Sequence, residues 1–167
     1  MIRHFHSVIL RTMLGPLVAA LQIFMLYVVV HGHYSPGGAF QGGTLLACSL
    51  LLPILAGRTE GFVVISARTA IAMAAAGVLI FTGTGIVAML FGGGFLDYAA
   101  LPMGSMEAAA RQSLGILIVE AGVTLAVAGS LVSIYYSLDR EPQEAAGAHA
   151  DGSAANRAGE PGGEEPR

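Results

Sequence analysis

A segment dense in histidine and glycine, HGHYSPGGAFQGG, joins the first two apolar stretches of the chain. Imidazole titrates near neutral pH, so His31 and His33 could relay protons or bind a metal ion. Alternatively, the two side chains cap the preceding helix and hydrogen-bond to nearby backbone. A metal ion would need further ligands, and none stand at a recognisable spacing. A proton route and a helix cap therefore both remain open for the histidines, and we predict no metal site.

The proline and glycines of the same segment predict a tight turn. Pro36 fixes φ, and Gly37 and Gly38 permit backbone conformations that are closed to other residues. Gly42 and Gly43 follow inside the next apolar stretch, where the missing side chains allow close approach of another backbone. We expect one specified turn at the outer surface of a membrane.

Glu120 is the only acidic residue inside any of the four apolar stretches. It lies about seven residues into the last stretch, or about 10 Å below the outer edge of the membrane core at 1.5 Å per residue. An ionisable side chain at that depth costs about 2.5 to 3.5 kcal/mol, so it normally faces protein or water. Two roles are open: proton exchange along an ion route, and a packing contact with a neighbouring helix.

The last apolar stretch has two distinct faces. A stripe of glycines recurs every seven residues, at Gly115, Gly122 and Gly129. Such stripes let helices approach closely, and we expect these three residues to act in helix packing. At 100° per residue, Ser113, Glu120 and Thr124 fall on roughly the opposite side. A helix with both faces reserved has little left for lipid, so we expect neighbours from other subunits, although a bundle formed by this chain alone could cover one face.

Two further polar features lie inside apolar stretches. Gln22 stands at the middle of the first, and an FTGTG segment runs from Phe81 to Gly85 in the third. We expect these side chains to be buried hydrogen-bonding groups that hold helices together.

Four apolar stretches must position all of these residues. The chain is 54% hydrophobic and only 11% charged, whereas soluble domains carry roughly 25% charged residues. A bilayer core of about 30 Å needs about 20 apolar residues in a helix. The sequence therefore predicts an all-α integral membrane protein with four transmembrane helices, at about 13–30, 39–56, 69–91 and 113–138.

The distribution of charge predicts the orientation of these helices. Five arginines lie before the first stretch, between the second and third, or directly after the fourth, and only Arg111 lies in the opposite set of loops. Short loops rich in arginine stay in the cytoplasm, so we expect both termini to be cytoplasmic. In the loop before the last helix, Phe95, Leu96, Tyr98 and Leu101 suit the outer membrane interface, where a short helix is plausible.

After the last stretch the composition changes to Ala, Gly, Glu and Pro. We predict a membrane domain over residues 1–140 and a disordered acidic tail over 141–167, because so few large apolar residues cannot offset the entropy of ordering. The net charge is −4 from Asp139 onward and +1 before it. No large basic face is available, which argues against binding of nucleic acid.

The sequence lacks the motifs of catalysis. It has no phosphate loop with its lysine, no nucleophile elbow and no paired carboxylates on one face. Its single cysteine, Cys48, can form neither an intrachain disulfide nor a multi-cysteine metal site. We therefore predict neither enzymatic activity nor a cofactor.

From His33 to Gly43, HYSPGGAFQGG closely resembles the signature H-x-x-P-G-G-G-F-x-G-G of the MnhB/MrpB subunit of multisubunit sodium/proton antiporters. The resemblance extends weakly from about Leu10 to Arg140, and Ala39 departs from it where the family usually has a third glycine. An acid before Gly-Val in the last helix also matches, with Glu120 standing where many relatives have aspartate. The residues carried over are His33, Pro36, Gly37, Gly38, Phe40, Gly42, Gly43 and Glu120.

This resemblance implies a non-catalytic subunit of the cytoplasmic (inner) membrane that packs against larger hydrophobic subunits and helps to exchange Na⁺ for H⁺. In that interpretation the His33 to Gly43 turn fixes a subunit junction, and Glu120, with Thr124 beside it, lines or supports an ion route. The equivalent subunit of a membrane-bound hydrogenase or other respiratory complex is an alternative. A self-sufficient homo-oligomeric transporter and a pure assembly scaffold are also open.

Overall fold

The computed structural model describes residues 8–32, 38–104 and 107–158, all of whose regular elements are helical. The α-helices are α1 (Val8–Val30), α2 (Gly38–Leu55), α3 (Ala67–Leu90) and α4 (Ala108–Ala158). Each contains a stretch long and apolar enough to cross a membrane, at Thr12–Val30, Gly38–Leu55, Ala67–Leu90 and Ala108–Asp139. The predicted all-α class is confirmed for the described residues, and so are four helices with the length and composition needed to cross a membrane.

Two of the helices are longer than the sequence indicated. α1 begins at Val8, so Pro16 lies inside the helix. α4 begins at Ala108 and continues to Ala158, well beyond the predicted end near Leu138. The predicted disorder after Glu141 is thus not confirmed, because the backbone stays helical through a stretch rich in alanine, the strongest helix former.

Small residues dominate the interior of the bundle. Ala70 and Ala88 of α3 and Ala128 and Val132 of α4 are fully buried. A β-carbon on Gly77 of α3 would overlap the backbone of α4. Helices pack this closely in membranes through small residues and dispersion, since lipid provides no hydrophobic drive between them.

The connection between α3 and α4 folds back onto both helices. The Phe95 ring lies against Gly85 and meets Phe81 edge to face, with 6.2 Å between ring centroids. Leu101 is 4% exposed, and a 3-10 helix spans Tyr98–Ala100. The loop that was expected to lie at the membrane interface is therefore partly packed on the bundle.

Contacts along the chain divide it into two units, the first ending at Ser133 and the second beginning at Ile134. The second unit contains the C-terminal part of α4, where Tyr135 and Tyr136 meet edge to face with ring centroids 5.4 Å apart.

Candidate functional site

The carboxylate of Glu120 lies against the backbone where α1 gives way to α2. A β-carbon on Gly32, two residues after α1, would overlap Oε1 of Glu120 and lie 2.9 Å from its Cδ. A β-carbon on Gly38, the first residue of α2, would lie 3.3 Å from the same Oε1. The Cα of Gly38 is only 2.8 Å from that position on Gly32. Only glycines leave room for the carboxylate between these two segments.

One helical turn further along α4, Thr124 joins the same junction. Its hydroxyl donates a hydrogen bond of 3.1 Å to the carbonyl of Ala39 in the first turn of α2, and the side chain is 5% exposed. A β-carbon on Gly42 would lie 3.5 Å from the Thr124 hydroxyl oxygen and would overlap Val29 of α1. The start of α2 therefore fits between α1 and α4 because it has no side chain there.

Gly43 completes this contact. A β-carbon on it would lie 2.7 Å from Cβ of Val127 and 2.9 Å from the carbonyl oxygen of Thr124. Gly42 and Gly43 are both buried. We define the junction cluster as Gly32, Gly38, Gly42, Gly43, Glu120 and Thr124.

The electrostatic setting of Glu120 combines a helix end and a nearby phenol. Gly38 begins α2, so the carboxylate lies close to the positively polarised end of that helix, which favours a negative charge. Tyr98, in the loop outside the membrane spans, packs on Gly115, where a β-carbon would lie 2.7 Å from the tyrosine Cβ. Burial raises the pKa of Tyr98 above its usual 10.0, and the charge of Glu120 raises it further.

Tyr98 is held over α4 by a second contact. Arg111 donates a hydrogen bond of 2.9 Å from its guanidinium to the carbonyl of Ala99, the next residue along the loop. The Asp97 carboxylate accepts a bond of 3.2 Å from the amide of Ala99 and so caps the 3-10 helix. This loop therefore packs on the N-terminal end of the α4 membrane span, on the face that bears Gly115 and Arg111.

His31 closes the end of α1. Its ring stacks on Tyr27, with centroids 4.4 Å apart, and its Nδ1 is 3.1 Å from the Tyr27 carbonyl oxygen. The His31 amide donates to that same carbonyl at 3.0 Å. These are the contacts of a helix cap, the alternative to a proton relay. Within the described part of the chain, no three His, Cys, Asp or Glu side chains are grouped as a metal site would require.

The structure brings Gly38, Gly42, Gly43, Glu120 and Thr124 together and leaves Phe40 66% exposed. The other three turn residues, His33, Pro36 and Gly37, lie outside the described residues. Sequence reasoning missed Gly32 and Tyr98. Gly32 had a signal, because it stands between two histidines beside the matched motif, whereas Tyr98 was marked only as an interface residue of the loop and not as a neighbour of Glu120.

The glycine stripe of α4 lies against the other side of the bundle. A β-carbon on Gly122 would lie 3.0 Å from the Gly77 carbonyl oxygen, and one on Gly129 would lie 2.5 Å from that of Ala70. Gly115 contacts Tyr98 instead of α3. The stripe thus meets backbone of α3 along two turns and the connecting loop at its N-terminal end.

The two other polar features, the FTGTG segment and Gln22, differ in burial. In the FTGTG segment, the Thr84 hydroxyl is partly buried and donates a hydrogen bond of 2.8 Å to the Ile80 carbonyl. Gln22 is exposed, so the expectation that it is buried was wrong for the chain by itself. The reason is that its face of α1 is not covered by another helix of this chain.

These features define a multi-pass membrane protein in which an intramembrane acid meets a glycine-rich helix junction. The family described as a domain related to the MnhB subunit of the Na⁺/H⁺ antiporter matches residues 9–133. The chain belongs to this family, as its His33 to Gly43 motif indicated.

Individual relatives are similar to this chain over nearly their whole length. A protein of Bacillus subtilis named as a subunit of the Na⁺/H⁺ antiporter is 30% identical over 129 residues, which is 73% of this chain and 90% of the relative. Proteins named as antiporter subunit mnhB2 in Staphylococcus saprophyticus and Staphylococcus aureus are each 30% identical over 138 residues, covering 80% of this chain and 94% of the relative.

Proposed function

We propose that this chain is a non-catalytic membrane subunit of a multisubunit Na⁺/H⁺ antiporter in the cytoplasmic (inner) membrane, with both termini in the cytoplasm. The family match over residues 9–133 supports the subunit role. The relatives named as antiporter subunits are covered over 90% and 94% of their length, so the similarity concerns the whole subunit.

In this proposal, the Glu120 carboxylate lines or supports the route of the transported ions or protons. The observation that supports it best is the contact of its carboxylate with the backbone at Gly32 and Gly38. A carboxylate can bind and release a proton, and intramembrane acids commonly mark ion pathways. Carboxylate, hydroxyl and carbonyl oxygens, as provided by Glu120, Thr124 and Ala39, are also the ligand type that hard cations prefer.

The remaining surface of the bundle is suited to lipid and to other hydrophobic subunits. In the most apolar window of each span, only 22% to 33% of the residues are buried within the chain. Large apolar side chains such as Ile23, Leu79 and Leu90 are 71% to 77% exposed. Lipid alone could cover these, but the intramembrane acid argues for a place inside a larger transport complex.

Purification of the tagged chain from its native membrane in mild detergent, with mass spectrometry of bound proteins, tests the proposal. Recovery of large antiporter subunits, together with Na⁺/H⁺ exchange by the reconstituted complex, is the expected result. Recovery of hydrogenase or other redox subunits would transfer the chain to a respiratory complex. If the chain were recovered alone and exchanged ions in liposomes, it would be a homo-oligomeric transporter and the proposal would be wrong.

A further inference from the structure

A groove runs between α1 and α2 at the end of the bundle remote from the junction cluster. It encloses about 220 Å³ and reaches the connection between α2 and α3 at Phe62. Its α1 wall is formed by Gly15, Val18, Ala19 and Gln22, and its α2 wall includes Ser49 and Pro53. The groove therefore extends from one membrane surface to about the middle of the span.

Gln22 makes this groove unlike the lipid-facing surface. It lies near the centre of the span Thr12–Val30, and its side chain is exposed. No other described residue of the chain hydrogen-bonds to its amide. The bilayer core has no water or other hydrogen-bonding group to offer, so an amide at this depth favours a protein neighbour. Lipid is therefore a poor occupant of this position.

The rest of the α1 wall suits the close approach of a helix. Residues 15, 19 and 22 are spaced by four and three positions and so lie on one face of α1. A β-carbon added to Gly15 would have no atom within 4 Å, and Ala19 is exposed. On the opposite wall, Ser49 is 1% exposed, and its hydroxyl already donates a hydrogen bond of 2.8 Å to the Leu46 carbonyl. The side chain of this groove that can take a hydrogen-bonding partner is therefore Gln22, on α1.

We propose that a transmembrane helix of a different subunit occupies this groove and hydrogen-bonds to Gln22. A helix is the segment that satisfies its own backbone at membrane depth, and it can carry the Ser, Thr, Asn or Gln side chain that the amide needs. The choice of a different subunit over a second copy of this chain rests on the proposed function, since the relatives are named as antiporter subunits.

Site-specific photo-crosslinking in the purified complex tests the occupant. A photoreactive residue is placed at Ala19, and a control at Leu79, which is 71% exposed on α3. The expected product at position 19 is a crosslink to one transmembrane peptide of another subunit, identified by mass spectrometry. A crosslink to a second copy, or to lipid alone as at an exposed site, would overturn the inference.

Substitution of Gln22 tests the hydrogen bond. Gln22→Leu should lower the amount of partner retained per chain in mild detergent about three- to tenfold, the range of intramembrane hydrogen bonds, whereas Gln22→Asn should retain more. Ile23→Leu, at the neighbouring exposed position, is the matched control and should change nothing. Equal retention by Gln22→Leu and wild type, at equal chain levels in the membrane, would contradict the proposal.

The groove inference and the proposed antiporter function would be contradicted by different results. If antiporter subunits copurify but position 19 crosslinks only to lipid, the groove inference is wrong and the proposed function stands. If position 19 crosslinks to a helix of a redox subunit, the groove inference stands and the antiporter assignment is wrong.

Discussion

The two sides of α4 reach backbone of the neighbouring helices by opposite means. On one side, Glu120 and Thr124 extend polar side chains to the junction of α1 and α2. On the other, Gly122 and Gly129 have no side chain, and α4 meets α3 backbone against backbone. Close packing is common to both sides, whereas the intramembrane acid lies on one side alone.

Substitutions on the two sides of α4 should therefore have different effects. A change on the glycine side should alter how much of the chain folds and assembles. A change at the junction cluster should alter transport by the chains that do assemble. Transport is therefore best measured per assembled complex, because the two effects are otherwise confounded.

The largest expected effect follows from removing the charge of Glu120. Glu120→Gln keeps the size of the side chain but cannot exchange a proton, so we expect at least about a tenfold loss of Na⁺/H⁺ exchange per assembled complex. Glu120→Asp keeps the carboxylate and should retain more activity. Exchange is measured in membrane vesicles with a pH-sensitive dye, and the complex is quantified by copurification. Full exchange by Glu120→Gln would make Glu120 a packing residue and favour the scaffold alternative.

A side chain at Gly32 should impair transport nearly as much. The added methyl of Gly32→Ala would overlap Oε1 of Glu120, so the carboxylate must move. We expect a several-fold loss of exchange per assembled complex. Gly94→Ala, where an added β-carbon meets nothing within 4 Å, is the control and should be neutral. Equal activity of the two variants would show that Glu120 does not depend on this space.

Substitutions on the glycine side of α4, where it meets α3, should change the stability of the complex. Gly77→Ala places a β-carbon against the backbone of α4 at Gly122 and Ala126, and such overpacking costs about 1 to 3 kcal/mol. Thermal unfolding of the purified complex should occur at a lower temperature, with exchange per surviving complex near wild type. Gly83→Ala, on the same helix but with nothing within 4 Å, should leave the unfolding temperature unchanged or raise it. A Gly77→Ala complex as stable as the Gly83→Ala complex would contradict the close α3–α4 contact.

The smallest effect concerns the titration of Tyr98. Its pKa is raised above 10.0 by burial and by the charge of Glu120, so the folded chain holds this proton more tightly than the unfolded chain. Tyr98 therefore leaves stability unchanged below pH 10 and lowers it as the pH rises from there through the raised pKa. Tyr98→Phe should remove this loss and the Tyr98 component of the late-titrating tyrosinate absorbance. Glu120→Gln should shift that component to lower pH; if it did not, Tyr98 would lie outside the influence of Glu120.

Much of this arrangement could be predicted from the sequence because it depends on helical geometry. The ends of α2 and α3 were placed within two residues, and the 100° rotation per residue separated Glu120 from the glycine stripe. The contact of Glu120 with Gly32 could not be predicted, since it depends on how α4 packs against the junction. Exposure of Gln22 could not be predicted either, because apolar periodicity does not show which chain covers a face.

The proposed role of Glu120 requires that its carboxylate fill the space between Gly32 and Gly38. The most direct test combines Gly32→Ala with Glu120→Asp, which shortens the acidic side chain by one methylene and relieves the overlap of the added methyl with the carboxylate, while the contact of that methyl with Gly38 Cα stays in both variants. Na⁺/H⁺ exchange per assembled complex should be higher in the double variant than in Gly32→Ala alone. A double variant whose loss equals the product of the two single losses would show that the residues act independently, and would contradict the proposed junction.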